Sequence, residues 1–431
     1  MPDYGVFSFD SKDEVLAKSK EFWNPGKTDF WIESGVPLVI DRREGYLIYD
    51  MSGKRLIDVH LNGGTYNVGH RNPEVVNAVM QAMQHFDIGN HHFPSLARTA
   101  LAEALIATAP PGLTKVIYGS GGGEAIDIAL KTARHATQRR KIVSIQKGYH
   151  GHTGLAVATG DDRFAKLFLS DSPEEFVHVP FNDHDAMHDA LRAGDVAAVI
   201  METIPATFGF PLPHPGYLET VKQLCEQYGT LYIADEVQTG LMRTGELWGI
   251  SKHGIEPDML VTGKGLSGGL YPISAVLVSE RCAGWLTEDG FGHISTFGGA
   301  ELGCIAAMKT LEICNRPETR SMVHYISDFM ANAMRSIQAR YPDWFIGVRQ
   351  NGVVMGLEFD HPRGANFVTK HLYEGGVWAI FSTLDPRVLQ FKPGILLHPE
   401  LAEELIERVQ VAIGKAWDEV RALPRTQRIA S

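Results

Sequence analysis

Short apolar runs alternate along the middle of the chain with longer segments whose apolar positions recur every three or four residues. The runs are Lys115-Val116-Ile117-Tyr118, Ile142-Val143-Ser144-Ile145, Phe176-Val177-His178-Val179, Ala197-Ala198-Val199-Ile200-Met201, Leu231-Tyr232-Ile233-Ala234 and residues 259–262. Between them, helical spacing is expected over 124–136 (Ile126, Ala129, Leu130, Ala133), 184–193 and 216–228. Continuously apolar strands between helices predict a mostly parallel sheet covered on both faces. Tyr271 to Val278 reads as one late strand.

The flanks differ. Leu38-Val39-Ile40, Tyr46–Tyr49 and Arg55–Asp58, separated by Arg43-Glu44-Gly45 and Met51-Ser52-Gly53, predict a small antiparallel meander. Asp13–Phe22 predicts a short helix that Asn24-Pro25-Gly26 breaks. Pro73 opens a helix to about His85, and residues 95–108 form another. After Gly303 a long helical stretch runs to Arg340. A strand follows at 353–358, then helices at 365–374 and 400–421, and Leu423 to Ser431 read as a frayed end. The expected division is an α/β domain over 61–304, with 1–60 and 305–431 joining into a smaller α+β domain.

Composition narrows the classes. The 431 residues are 44% apolar and 21% charged, which suits a globular chain with a large core. A net charge of −11 argues against nucleic acid or an anionic membrane as partner. No apolar run approaches the ~20 residues of a membrane span. Met1-Pro2-Asp3-Tyr4 lacks the basic region and apolar run of a signal peptide. Cys225, Cys282, Cys304 and Cys314 form no CxxC pair and fit a reducing compartment. A cytoplasmic location is expected.

Four stretches carry candidate chemistry. In Pro257–Gly269 an apolar strand delivers Lys264 into a glycine-rich turn; burial and nearby cations lower an amine's pKa enough for it to attack carbonyls. Gly119-Ser120-Gly121-Gly122-Gly123-Glu124 lies between a strand and a helix, where free backbone amides bind phosphate. It is neither a GxGxxG fingerprint nor a Walker A loop, and a plain turn satisfies the same pattern. Asp235 ends an apolar strand, where a buried carboxylate needs a cation; the protonated ring nitrogen of pyridoxal phosphate is one answer, and capping the next turn is the other. Lys147–Gly154 offers Tyr149 as a ring stacker. His150 and His152 there allow a metal pair, but no further ligand set accompanies them, and no metal is expected. His184 and His188 read as a solvated helix face.

With the segments ADEVQTGLMRTG and PDMLVTGKGLSGGLYPISAV, these stretches resemble the class III (ω-type, subgroup II) pyridoxal-phosphate-dependent aminotransferases of fold type I. The likeness runs from Gly45-Tyr46 and Gly69-His70-Arg71-Asn72-Pro73 to the strand near residue 390. It implies a seven-stranded, mostly parallel sheet in the large domain. It implies Lys264 as the catalytic residue, the covalent anchor of the cofactor and its proton carrier. It further implies Asp235 on the ring nitrogen, Val237 and Tyr149 on the two ring faces, and Gln238 on the ring 3-oxygen. Gly122 and Gly123 would hold the phosphate beside Gly121, Thr296 would reach the same phosphate from a neighbouring subunit, and Glu202 would stand close by. The implied assembly is a homodimer with shared sites, with pairing into tetramers left open.

Three departures from the family pattern bear on function. Gly121 stands where a serine is frequent, Thr203 where a proline follows the glutamate, and Gln390 where many members carry an arginine that clamps an α-carboxylate. Arg387 or Lys392 would have to replace it. The expected reaction moves an amino group from a primary amine to a keto acid or aldehyde by a ping-pong route, with ω-amino acids, diamines or arylalkylamines favoured as donors. Trp23, Leu61 with its loop, and His91, His92 and Phe93 of a partner are candidate donor-pocket residues. Decarboxylating transaminases and amino-acid epimerases share these motifs. A non-catalytic phosphate-ligand-binding protein is the reading from another class, and the intact Lys264 and Asp235 oppose it.

Overall fold

The computed structural model describes residues 5–424; the opening Met1-Pro2-Asp3-Tyr4 and most of the expected frayed end lie outside them. Its centre is a seven-stranded sheet in the order Leu113–Gly119, Ser274–Ser279, Met259–Thr262, Leu231–Asp235, Val196–Glu202, Lys141–Ile145, Phe176–Val179. Ser274–Ser279 is antiparallel to both neighbours, and the remaining pairings are parallel.

The strands are apolar throughout because both faces are covered. Ile142, Ile200, Ile233, Val261 and Val276 enter one core with Ala125, Ile126, Ala129 and Ala133 of the helix Gly122–Thr137. Their neighbours Val143, Val199, Tyr232, Leu260 and Leu277 point the other way, into a second core. There they meet helices Leu96–Thr108, Tyr217–Tyr228 and Glu301–Cys314. A period of two with apolar residues at both phases is the signature of a two-sided strand.

Two four-stranded sheets flank this one. The N-terminal meander Ile40–Glu44, Leu47–Asp50, Arg55–Asp58 gains a parallel fourth strand, Val377–Trp378. Phe345–Asn351, Val354–Phe359, Asp385–Phe391 and Ile380–Ser382 form the other. The Arg55 guanidinium makes a two-point bond to Glu404 of helix Pro399–Ala422, at 2.6 and 3.0 Å, tying the first meander to the C-terminal helix.

Departures from the expected elements trace to proline and to local geometry. Asn24-Pro25 does end the first helix, Lys12–Phe22, but it also starts another, Pro25–Glu33, with Asn24 as N-cap and Pro25 in the first turn. The long C-terminal stretch is two helices, Glu301–Cys314 and Pro317–Arg340, parted at the residue before a proline. The first strand of the meander begins two residues later than its apolar run and takes in Arg43 and Glu44. Among the described residues no helix is long and apolar enough to cross a membrane.

Candidate active site

Parallel strands end together, so their carboxyl ends bring distant residues to one level. Glu202 and Asp235 are register partners at the ends of adjacent strands, and Asp235 pairs with Val261 on the strand that leads to Lys264. Around them a cavity of about 200 Å³ is lined by Gly122, Gly123, Tyr149, His150, Gly151, Glu202, Asp235, Val237, Gln238 and Lys264. Eight of these ten were expected from the sequence.

Asp235 is buried and fully engaged. Its Oδ2 lies 2.7 Å from His150 Nδ1, and its Oδ1 accepts the Val237 N–H at 3.1 Å. Glu202 is equally enclosed: Oε1 accepts the Tyr149 N–H (3.0 Å) and Oε2 the Ala206 N–H (3.1 Å). Burial raises the Glu202 pKa to about 7; His150 opposes the shift and Asp235 adds to it. Lys264 sits at φ 38°, a left-handed conformation costly for a residue with a Cβ. Burial lowers its pKa, with Asp235 and Glu202 pulling the other way. An amine so placed carries a larger neutral fraction than an exposed lysine.

The glycines form a cradle. A Cβ on Gly151 would come 2.7 Å from Gly123 Cα, and one on Gly122 would come 3.3 Å from a Val237 methyl. Gly122 and Gly123 open a 16-residue helix whose N-cap, Gly121, has no side chain to occupy the free amides. The Gly121 carbonyl is held by the Ser274 hydroxyl at 2.9 Å. The missing hydroxyl at 121 is not replaced by Ser120, which donates its own N–H and O–H to Glu124.

Two polar atoms on the cavity residues, His150 Nε2 and Gln238 Nε2, are buried without a partner. With a stripped helix N-terminus, a carboxylate at a strand end and an amine beside it, they fit a phosphorylated, flat, carbonyl-bearing cofactor that also offers polar ring atoms. Pyridoxal phosphate has those features.

Other expected residues lie elsewhere. Thr296 is exposed on the loop after Gly292, away from its own chain's cavity. His91 and His92 line a surface cleft with Phe291 and Ser295, and the His92 and Phe291 rings are 6.0 Å apart. Arg98 pins that loop by donating to the carbonyls of Asn90 and Phe93, and Phe93 itself is exposed. Trp23 is exposed beside a groove between the first helices and residues 36–39. Leu61 is buried in the core, in a turn where Leu61, Asn62, Gly63 and Gly64 all have positive φ. That turn reaches the site through Gly63, where a Cβ would lie 2.8 Å from Lys264 Cε. Gln390 is buried on the strand Asp385–Phe391, with its Oε1 on Lys392 Nζ.

Sequence reasoning passed over His150 as the partner of Asp235 and weighed it only as a metal ligand. His152 turns the other way, against Tyr149 and Phe164. Glu236 was also missed. It is fully buried, with Thr203 and Thr239 hydroxyls and the Gly249 and Ile250 amides all donating to it. Thr203, the departure from the family proline, thus secures Glu236.

This layout is that of a fold type I pyridoxal-phosphate enzyme. The chain belongs to the class III aminotransferases, whose family model matches residues 32–413. It is 40% identical to an uncharacterized aminotransferase of Archaeoglobus fulgidus over 93% of this chain and 94% of that one. It resembles the ornithine aminotransferase from Toxoplasma gondii ME49, with 25% identity, a TM-score of 0.87, and coverage of 96% of this chain and 97% of that chain. It shares its fold with taurine:2-oxoglutarate aminotransferase from Bifidobacterium kashiwanohense, a structure solved with PLP and glutamate; there identity is 23%, the TM-score 0.86, and coverage 96% and 99%. The protein is an aminotransferase, and its cofactor is pyridoxal phosphate.

Proposed function

We propose that this enzyme takes an amino group from a primary amine whose reacting carbon bears no carboxylate. The donor is an ω-amino acid, a diamine or an arylalkylamine, and the acceptor a keto acid or aldehyde, in ping-pong order. One observation carries the donor reading: the strand position expected to hold a carboxylate-clamping guanidinium is the neutral amide of Gln390. Arg387 does not replace it. Its guanidinium is tied to Asp385 (3.1 Å) and Glu358 (3.2 Å) on the exposed side of the strand.

Bound pyridoxal phosphate supplies a carbonyl carbon for the amino group and a ring that draws electron density from the reacting carbon. The chain's own residues do the rest. Gly122 and Gly123 would hold the phosphate through their amides. Asp235, held by His150 and the Val237 amide, would face the ring nitrogen. Val237 and Tyr149 line the cavity where they would flank the ring, and Gln238 would reach its 3-oxygen. Lys264 Nζ would anchor the cofactor and move a proton at the substrate's reacting carbon, for which its lowered pKa suits it. Glu202 fixes the Tyr149 backbone.

The same proposal includes a homodimer in which Thr296 of a second copy completes the phosphate site. The exposed Phe93, Phe291, Ile294 and Phe297 support it. Residues 1–60 and 305–431 are read as one smaller domain against 61–304, which the parallel pairing of Arg55–Asp58 with Val377–Trp378 supports.

The test is the absorption spectrum of the protein with pyridoxal phosphate during additions of an α-amino acid, a β-amino acid, a terminal diamine and an arylalkylamine. Loss of the long-wavelength band with the last three and not the first is the expected result. A strict preference for the α-amino acid overturns the donor reading. A band that no amine bleaches, with carbon dioxide or an inverted amino acid among the products, points to decarboxylation or epimerisation instead.

A further inference from the structure

One carboxylate holds both ends of the loop that passes beside Lys264. Asp58 closes the strand Arg55–Asp58 and is 3% exposed. Its Oδ1 accepts the His60 and Leu61 amides at 2.9 and 2.8 Å, and its Oδ2 lies 2.8 Å from His70 Nε2. His70 is buried too, with its ring 3.8 Å from that of Tyr66 and its backbone bridged to Gly45. The chain thus leaves the strand at Asp58 and is pinned to the same side chain twelve residues later. Near the far end Asn67 ties the loop to the large domain, its Nδ2 donating to the Leu241 carbonyl at 2.6 Å.

Inside the loop the backbone is forced. Leu61, Asn62, Gly63 and Gly64 have φ of 51°, 47°, 71° and 99°. Two of the four carry a Cβ, and such residues stay left-handed only where their surroundings hold them there. The amides bound by Asp58 stand at the start of this run. Further on, the Gly63 N–H donates to the His60 carbonyl at 3.0 Å and the Tyr66 N–H to the Leu61 carbonyl at 3.2 Å.

The turn is pressed against Lys264. A Cβ at Gly63 would lie 2.8 Å from Lys264 Cε and 3.3 Å from Cδ, and one at Gly265 would lie 3.1 Å from the Gly64 carbonyl oxygen. Lys264 has φ 38°, so two left-handed segments face each other. Lys264 Nζ makes no hydrogen bond among the described residues; Asp235 and Glu202 act on it only through space. Its direction is therefore set by packing along the methylenes, and the Gly63 backbone is a surface they rest on.

We propose that Asp58 is a positioning residue for transamination: with His70 it holds the turn Leu61–Gly64, and the Gly63 backbone of that turn aims the Lys264 amine into the cavity. This rests on Lys264 being the reactive lysine and is independent of the donor. Neither Asp58 nor Gly63 lines the cavity, so they act through Lys264 and not on the substrate.

The experiment compares Asp58→Ala, Asp58→Asn and Gly63→Ala with the wild type. Asparagine keeps an oxygen for the two amides. His70 Nδ1 is buried without a partner, so the ring proton can move there and leave Nε2 to accept the new amide. In the holoenzyme, assayed with whichever amine of the spectral panel reacts fastest, Asp58→Ala lowers kcat by about 100-fold, the scale of a ~1 Å misplacement, with KM unchanged. Asp58→Asn stays near the wild type. Gly63→Ala sets a methyl against Lys264 Cε and lowers kcat in the same way, which keeps the test open where Asp58→Ala fails to fold. Trace acetic anhydride on cofactor-free protein, read lysine by lysine with mass spectrometry across pH, reports the amine without turnover. Burial is the main cause of the lowered Lys264 pKa. A freed turn admits water, so in Asp58→Ala the labelling midpoint of Lys264 rises toward that of surface lysines. A purely structural role would lower the thermal midpoint and leave this profile alone. Borohydride fixes the cofactor to the lysine that holds it, and a lysine other than Lys264 overturns the reading beneath the proposal. With the cofactor on Lys264, wild-type kcat in Gly63→Ala, or wild-type kcat and labelling in Asp58→Ala, overturns the proposal alone.

Discussion

His150 Nδ1 lies 2.7 Å from Asp235 Oδ2, across the strand that carries Glu202. The histidine follows strand Lys141–Ile145, the aspartate ends Leu231–Asp235, and Val196–Glu202 runs between them. The bond stitches three carboxyl ends into one rigid floor. It also fixes the Asp235 carboxylate before any ring nitrogen meets it, which is the preorganisation a charge-pairing group needs.

His150→Ala therefore weakens cofactor binding by about 10- to 100-fold, the loss expected for a hydrogen bond to a charged group. Equilibrium dialysis against pyridoxal phosphate measures it. Unchanged affinity with an unchanged spectrum removes His150 from the site.

Glu202 makes stability depend on pH. Its pKa of about 7 in the folded chain lies above the ~4.3 of a free glutamate. The native state holds this proton more tightly than the unfolded chain does. The contribution is fully present below the unfolded value and is lost as pH rises through about 7. Glu202→Gln cannot ionise, so its thermal midpoint gains on that of the wild type between about pH 5 and pH 8. The comparison belongs on protein freed of cofactor. A constant difference across that range refutes the assignment.

Much of this floor was readable from the chain. Asp235 and Lys264 each end or follow an apolar run, and the glycines at 121–123 sit where a strand passes into a helix. Such residues announce themselves by position on an element. His150 did not, because its meaning depends on a carboxylate brought near by sheet order rather than by sequence. Glu236 was hidden for a related reason: alternation turns it away from Asp235, and its donors come from Thr203, beyond the neighbouring strand, and from the folded loop through Ile250. The strand Phe345–Asn351 also went unread, since only Phe345 among its residues is fully enclosed. Lys392 was read only as a possible replacement, with Arg387, for the missing arginine, and its complete burial could not be read from the sequence.

Gly151→Ala tests the cradle. Gly151 has φ +108°, and its added Cβ would meet Gly123 Cα at 2.7 Å, backbone against backbone. The helix N-terminus must shift, so both pyridoxal phosphate and inorganic phosphate bind more weakly. The expected signature is loss of the cofactor band at limiting pyridoxal phosphate, with the far-ultraviolet circular dichroism retained. Wild-type affinity would show that the loop yields.

Thr203→Val tests the buried carboxylate behind the site. The Thr203 hydroxyl donates to Glu236, whose pKa burial already raises. Valine keeps the shape and removes one of the two donors to Oε1, the Ile250 amide remaining, so the substitution costs about 1–3 kcal/mol of stability, the scale of one hydrogen bond to a carboxyl group. Urea unfolding measures it, and a midpoint within error of the wild type places the hydroxyl's contribution near zero.

The surface around Thr296 separates assembly from chemistry. Phe297 is 56% exposed and Phe93 67%, next to a loop that Arg98 holds in place. Apolar side chains so placed, beside a threonine that does not line its own chain's cavity, fit a face covered by a second copy. Phe297→Glu places a carboxylate in that face, and a buried unpaired charge is too costly for the contact to survive. Sedimentation then shows a smaller species, with cofactor affinity lowered because the second copy's Thr296 is gone. Thr296→Ala lowers cofactor affinity without changing the sedimenting mass. If Phe297→Glu leaves the mass unchanged, this face is not the dimer contact; if Thr296→Ala leaves the affinity unchanged, the phosphate site is complete within one chain.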